Sequence, residues 1–357
     1  MGDVHSFVER NAVLGRPARS GTSLSSIVVP VYDEMHRLPA ALPQLLELAT
    51  ANTELILVDD GSRDGTGKLL ASIRQPNVTV LRLPRNRGKG AAVRAGASIA
   101  RGHSVAFMDA DLATDIACLE PLLEALKSAH VAIGSRAHPQ SVVHDATRRR
   151  SRMGGQFNRL TRHVTGTRYC DTQCGFKAFR AEVAGLLFHL ARVNGFAFDV
   201  ELLCLARTLH MRVAEVPVVW TERPGSKIRL LRDPARMAFD VVATRMRSPA
   251  DAPITLCCVD PHVENPESTA RLLHRQVRSG DIVAAADREV CIYLPGISAS
   301  GAESVMARMR TVLPGAEARI AFEPTRKAWR SFECQRAPNP PSREARPAVI
   351  GAAALRS

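Results

Sequence analysis

Four short apolar runs in the first 110 residues each end in a polar cluster, and helical spacing separates them. Ser26–Val31 runs into Tyr32-Asp33-Glu34, and Glu54–Val58 into Asp59-Asp60-Gly61-Ser62. Val78–Leu83 leads to Arg85-Asn86-Arg87-Gly88-Lys89-Gly90, and His103–Met108 to Asp109-Ala110-Asp111. The stretches Leu38–Ala49, Gly65–Ile73 and Ala91–Ala100 carry apolar or small residues at helical spacing. Buried strands alternating with helices of this length predict βαβ units and a parallel sheet, hence an α/β fold. Ligands of such sheets bind off the carboxyl ends of the strands. The four polar clusters should therefore meet at one crevice.

The Asp109-x-Asp111 pair gives that crevice a chemistry. Two carboxylates one residue apart at the end of a buried strand need a counter-charge. Hard oxygen ligands suit Mg²⁺ or Mn²⁺, which keep waters and substrate phosphates as their other ligands. The competing reading is a helix N-cap followed by solvated acids.

With these clusters go further motifs: PVYDE from Pro30, VDDGSRDGT from Val58, RNRGKG from Arg85, DADLAT from Asp109 and GSRAH from Gly134. DTQCGFKAF follows from Asp171, FDVELL from Phe198, EVPVVW from Glu215 and GSK from Gly225. Together, over residues 23–248, they resemble a family 2 glycosyltransferase of the GT-A fold, a Rossmann-like nucleotide-diphospho-sugar transferase. DTQCGFK and EVPVVW…GSK bring it nearest to the dolichyl-phosphate and polyprenyl-phosphate glucosyltransferases. The resemblance implies transfer of a hexose, with inversion, from a nucleotide-diphosphate sugar to a polyprenyl phosphate. UDP-glucose is the first donor expected and GDP-mannose the second. Ala113 stands where mannose-transferring relatives often carry Gln, which favours glucose.

On this resemblance Pro30, Tyr32 and Glu34 form the exit loop of the first strand and flank base and ribose. Asp59 or Asp60 accepts from the base. Lys89, in its Gly-rich turn, reaches a phosphate or a base carbonyl. Asp111 is the expected metal ligand, and Asp109 positions metal and sugar or ribose.

A prenyl phosphate needs no general base, because the second pKa of a phosphate monoester is about 6. The protein must neutralise and aim it. Arg136 of GSR and Arg150, counted back from Asn158, resemble the acceptor-phosphate ligands of the family. The family's serine one turn further on falls on Gly154. Asp171, Gln173 and Lys177 are expected to line the sugar and acceptor pocket. Asp199 and Glu201 are candidates for sugar hydroxyls, with an ion pair to an arginine as the other reading of Glu201. Trp220 and Lys227 belong to the segment that closes over the site in the family; simple core packing is the alternative for Trp220.

A net charge of +13 fits nucleic acid, an anionic membrane or anionic substrates. Aromatic residues make up only 4%, too few for base-stacking platforms. Arginines concentrate in Arg148–Arg168 and again between Lys227 and Arg247. Attraction to acidic headgroups, about 1 kcal/mol per basic residue, is the favoured reading, and no nucleic-acid partner is expected. No apolar run reaches the roughly 18–20 residues of a membrane span, and the first residues carry no signal-peptide pattern. The eight cysteines show no CxxC pair, which fits a reducing compartment. A cytoplasmic protein held peripherally on the membrane is expected, possible as a homo-oligomer.

Residues 1–22 read as a flexible N-terminus, 23–248 as the transferase, 254–325 as a small α+β, ferredoxin-like unit, and 326–357 as a Pro- and Arg-rich disordered tail. Ile254–Val259, Glu289–Leu294 and Ala318–Phe322 are its expected strands, Pro266–Arg278 and Ala302–Leu313 its helices. This run resembles the second half of a GGDEF-type cyclase domain, whose signature would fall on Ala286-Asp287-Arg288-Glu289-Val290. Neither glycine nor the central Asp is present there, so a regulatory or assembly role is expected instead. Two other functions fit the chain: transfer to a small soluble acceptor, and a nucleotide-sugar-sensing scaffold without catalysis.

Overall fold

A computed structural model describes residues 24–145, 148–223, 232–246, 253–260, 269–324 except 271, 274, 275, 278–280, 287, 288, 295, 296, 298, 315 and 316, and residue 329. The transferase part opens with β1 (Ser25–Val31), α1 (Leu38–Glu47), β2 (Thr53–Asp59), α2 (Thr66–Ala71), β3 (Val78–Arg82), α3 (Lys89–Ile99) and β4 (Ser104–Met108). It continues with α4 (Leu119–Glu124), β5 (Val131–Ser135), β6 (Val142–His144), α5 (Arg148–Thr165), β7 (Phe176–Arg180), α6 (Ala181–Leu190) and α7 (Phe198–Thr208). The strands β8 (Val213–Pro217) and β9 (Val219–Thr221) and the helix α8 (Arg232–Met246) close it.

Seven strands form one sheet in the order β3-β2-β1-β4-β7-β5-β8. The pairs β1–β2, β2–β3, β1–β4 and β5–β8 are parallel, as the alternation of strands and helices predicts. Strand β7 departs from that expectation: it runs antiparallel between β4 and β5. It is not reached through a βαβ crossover from β5, because α5 and the loop after it return the chain to the carboxyl end of β4. Met108 pairs with Phe176 there, so DTQCG enters the sheet beside Asp109.

Side chains alternate across the sheet into two cores. Val28, Val58 and Phe107 face α3, α6 and α7 through residues such as Val93, Leu187 and Leu203. Ile27, Leu57 and Met108 face α1, α2 and α4 through Leu45, Leu70 and Leu122. Burial on both faces explains why these strands read as continuous apolar runs. Each fully buried Val, Leu or Ile contributes about 1.5–3 kcal/mol, which holds helices as short as α2 in place. Small residues on α3 set its approach to the sheet: a Cβ on Gly96 would stand 2.4 Å from Val28 Cγ1.

After the linker, β10 (Pro253–Asp260), β11 (Ile282–Ala286), β12 (Glu289–Leu294), α9 (Ala299–Val312) and β13 (Glu317–Pro324) follow. The strands make an antiparallel sheet in the order β11-β12-β10-β13. Strand β11 was not among the expected elements; its Ala-rich sequence lacks alternation. Most of the expected helix over Pro266–Arg278 lies outside the described residues. Val290, Ile292 and Leu294 pack on Val305, Met306 and Met309 of α9. Cys291 and Tyr293, on the other face of β12, join the transferase core together with Trp329. The Trp329 ring meets the His130 imidazole edge to face, with centroids 5.8 Å apart. Asp287 and Arg288, at the place of the cyclase signature, lie outside the described residues.

Candidate active site

The crevice opens where β1 parts from β4. Their pairing ends at Val28↔Phe107, while β1 stays paired with β2 to Val31↔Asp59. Pro30, expected in the exit loop, is instead inside β1 opposite Val58. It lies beyond the last β4 pair, where a missing N–H is tolerated. Tyr32 and Glu34 follow in the loop itself.

Loop 32–37 is laced to the loop after β2. Asp33 N–H donates to Ser62 Oγ and Glu34 N–H to Thr66 Oγ1, both at 2.9 Å. Arg63 N–H donates back to Asp33 Oδ1 at 2.7 Å. Glu34 does not reach into open space: its carboxylate holds Arg37 in a two-pronged pair, Nε to Oε2 at 2.7 Å and Nη2 to Oε1 at 2.6 Å. Arg37 in turn points Nη1 at Asp111 Oδ2, 3.4 Å away.

Asp59 and Asp60 are both buried and take separate tasks. Asp59 Oδ1 accepts from Ser62 N–H at 2.8 Å, and Arg82 Nε stands 3.3 Å from Oδ2. Asp60 accepts the N–H groups of Arg87 and Gly88, each at 2.8 Å, and so ties the second loop to RNRGKG. Burial pushes its carboxyl up to about 6 against the pull of those two N–H groups. Between Asp60 and Ser62 the backbone of Gly61 has φ +74, and a Cβ there would come 2.5 Å from Arg85 C.

The glycines of RNRGKG serve protein packing. Asn194 O accepts Gly90 N–H at 2.8 Å and so occupies the N-terminus of α3. A Cβ on Gly88 would stand 2.3 Å from that oxygen. The Gly90 N–H is thus spent on a protein carbonyl. Lys89 remains at the crevice, but on a carboxylate: Nζ is 2.6 Å from Asp109 Oδ1. Burial alone would lower this ammonium's pKa; Asp109 and Asp199 outweigh it and hold the pKa above its usual value.

Asp109 and Asp111 leave β4 through a tight turn in which Leu112 takes φ +52. A left-handed leucine stores strain of order 1–3 kcal/mol, and such strain concentrates at functional sites. Asp111 Oδ1 accepts Ala113 N–H at 3.2 Å. Its pKa is raised, by burial first and by Asp109 second. Gly175 leaves room for the partner carboxylate, since a Cβ on it would come 2.2 Å from Asp109 Oδ2. Two oxygen donors one residue apart and a cradle that only glycine permits fit a hard divalent ion. Among the described residues no three His, Cys, Asp or Glu side chains cluster as a closed metal site. An ion here would keep ligand positions for substrate and water.

Across the crevice, at the end of β5, Arg136 is locked to Asp171. Nε donates to Oδ2 at 2.6 Å, Nη2 to Oδ1 at 2.9 Å, and the backbone N–H to Oδ2 at 3.0 Å. Burial would raise Asp171; the guanidinium prevails and holds its pKa below the usual value. Arg136 also stacks over Trp220, 5.5 Å from the ring centroid. Trp220 bridges to Thr114, and Thr221 N–H donates to Ala113 O at 2.8 Å, so β9 lies against the loop that follows Asp111. The Gln173 backbone N–H donates to Asp171 Oδ1 at 3.1 Å. Thr172 Oγ1 donates to Asn158 Oδ1 at 3.0 Å, which docks α5 on the same segment. Arg150 lies two turns earlier in α5; its side chain, and the whole of Lys227, lie outside the described residues.

Four expected pocket residues are buried beneath the crevice, Asp199 among them, where it faces Lys177 instead of sugar hydroxyls. Asp171 is a buried partner of Arg136. Lys177 is fully buried, donates to Cys174 O at 2.6 Å and stands 3.5 Å from Asp199 Oδ1. Its place on the inner course of β7 turns it into the core instead of the pocket. Glu201 is also corrected: α7 turns it away from Asp199, and its Oε2 accepts Arg192 N–H and Val193 N–H at 2.8 and 2.7 Å. It shapes the loop that carries Asn194. Arg37, Gly175 and Asn194 were missed in the sequence. Arg37 had a local signal, three residues after Glu34; the others touch the site only across long chain separations.

A mostly parallel sheet with helices on both faces, and a carboxylate pair at its central switch point, defines a GT-A nucleotide-sugar transferase. Residues 26–188 match the sequence profile described as Glycosyl transferase family 2. The dolichyl-phosphate beta-glucosyltransferase of Dictyostelium discoideum is 37% identical over 245 residues, which cover 62% of this chain and 74% of that protein. The protein of the same name from Drosophila melanogaster is 41% identical over 227 residues, covering 57% and 68%. Among solved structures, glucosyl-3-phosphoglycerate synthase of Mycobacterium tuberculosis in complex with Mn²⁺, UDP and glucosyl-3-phosphoglycerate overlaps 68% of this chain and 83% of that one. The TM-score is 0.46, at 19% identity. The chain belongs to glycosyltransferase family 2.

Proposed function

We propose that this glycosyltransferase moves glucose from UDP-glucose to a polyprenyl phosphate, with inversion at the anomeric carbon. One observation carries the reading. The antiparallel entry of β7 sets Asp109 and Asp111, at the end of β4, beside the Arg136–Asp171 pair at the end of β5. A carboxylate pair for the donor diphosphate and an aimed guanidinium for an anionic acceptor thus share one crevice. Relatives named for dolichyl phosphate and glucose support the choice of substrates.

Asp109 and Asp111 would hold Mg²⁺ or Mn²⁺, which supplies charge stabilisation for the departing diphosphate. Arg136 has N–H groups left over from its two bonds to Asp171, and Asp171 fixes their direction. An anionic acceptor held there is already deprotonated near neutral pH, so Arg136 has only to bind and orient it. Trp220, over the guanidinium, covers this side and limits water. Asp60 holds the two loops of the donor side together.

Membrane contact comes from α8 and α5, which pack on one another. Phe239 on α8 is 72% exposed, with Val242 and Leu160 also open to solvent. Beside the exposed Arg159 and Arg162 of α5 this face suits an acidic membrane surface, held peripherally on the cytoplasmic side. No helix of the described residues is long and apolar enough to cross a membrane.

The test is transfer of radiolabel from UDP-glucose into an organic-soluble, acid-labile lipid with a prenyl phosphate as acceptor. Label carried instead from GDP-mannose, or into a water-soluble product only, would replace the donor or the acceptor in this reading. No transfer to any acceptor would favour a sensing scaffold.

A further inference from the structure

Charges alternate beneath the crevice. Lys89 Nζ stands 2.6 Å from Asp109 Oδ1 and 5.9 Å from the centroid of Phe198, the residue before Asp199. Asp199 acts on the same ammonium through its charge. Asp199 Oδ1 is buried and accepts no hydrogen bond. Lys177 Nζ is 3.5 Å from it but donates to Cys174 O at 2.6 Å. A buried carboxylate oxygen held only by this longer ion pair is under-satisfied, so it can take a second cation.

We propose that Lys89 is a placeholder cation, which neutralises Asp109 while the site lacks a divalent ion and shifts toward Asp199 when such an ion takes Asp109 and Asp111. This positioning role rests on the reading of the two aspartates as a cation site. Its physical reason is the sign of the local field. A doubly charged ion on Asp109 turns the attraction felt by the ammonium into repulsion at short range. The flexible lysine stem permits a small displacement, and Asp199 Oδ1, held only by the longer ion pair to Lys177, receives the charge. The donor diphosphate offers the displaced ammonium a further partner. Ion and nucleotide binding are therefore coupled through Lys89, and the coupling is reciprocal.

The experiment is a titration of the full chain with Mn²⁺, free ion being read by electron paramagnetic resonance, with and without UDP. Lys89→Met removes the competitor, so it should bind Mn²⁺ at least tenfold more tightly than the wild type in the absence of UDP. It should also lose most of the gain that UDP gives the wild type. Asp199→Asn removes the receiving charge and should weaken Mn²⁺ binding severalfold. Lys89→Gln, which keeps a donor for Asp109, carries the test in the same direction if Lys89→Met does not fold. Equal or weaker Mn²⁺ binding by a folded Lys89 variant overturns the proposal and leaves the cation site standing. Absence of Mn²⁺ binding in wild type and variants alike, even with UDP, overturns both.

Discussion

Gly175 and Asp109 meet so closely that a side chain on one excludes the carboxylate of the other: a Cβ on Gly175 would lie 2.2 Å from Asp109 Oδ2. The antiparallel pairing Met108↔Phe176 imposes this approach. Gly175→Ala should therefore move Asp109 and lower transfer by about 100-fold, the usual cost of a 1 Å misplacement. Assay of kcat together with a thermal melt checks it. Near-wild-type activity in a stably folded Gly175→Ala would show that Asp109 need not hold this position.

Asp111→Ala removes an oxygen donor beside the expected leaving diphosphate. Transfer should fall by at least about 100–1,000-fold, the scale of losing one preorganised electrostatic contact. The measurement is turnover at saturating Mn²⁺ or Mg²⁺. Full activity there would exclude the metal role.

Arg136→Ala should raise the KM for prenyl phosphate and leave UDP affinity nearly unchanged by calorimetry. Arg136→Lys should rescue little, because a single ammonium cannot form the two bonds to Asp171. Loss of UDP binding in both variants would place Arg136 on the donor side.

Asp60 predicts a pH effect with a definite sign. Its folded pKa of about 6 lies above the ordinary carboxylate value of 3.8. The native state thus binds more protons than the unfolded state between those pH values, and stability from this group falls as pH rises through that window. Asp60→Asn should flatten that part of the curve. Melting temperatures of both proteins from about pH 4.5 to 7.5 test it; parallel curves would assign the slope to other groups.

Trp329 is buried against His130. Trp329→Ala should cost about 3–5 kcal/mol of stability, as for other buried tryptophans. Transfer should persist well below the new melting temperature, since no expected site residue lies beyond Lys227. Truncation near Ser248 should preserve turnover of short-chain prenyl phosphates but expose the surface covered by Cys291, Tyr293 and Trp329. A folded truncation that binds UDP without turnover would show that the second unit completes the site.

Period and punctuation in the chain sufficed for the strands β1 to β4, their helices and the polar clusters at their ends. Those signals are local: apolar side chains buried on both faces of a sheet, and loops that must begin where burial stops. The Asp109-x-Asp111 pair at the end of β4 was legible for the same reason, whereas Arg136 was picked out by its resemblance to a family motif. Tertiary structure alone decided how these charges are spent. It sent β7 backwards between β4 and β5, put Gly175 under Asp109, tied Arg136 to Asp171, and set Lys89 on Asp109. It also drew Lys177 out of the pocket to Cys174 O and Asp199, and Glu201 to the backbone N–H groups of Arg192 and Val193. None of this is periodic in sequence, because an ion pair or a close backbone approach depends on which strands become neighbours, and Lys89–Asp109, Arg136–Asp171 and Gly175–Asp109 stand 20, 35 and 66 residues apart.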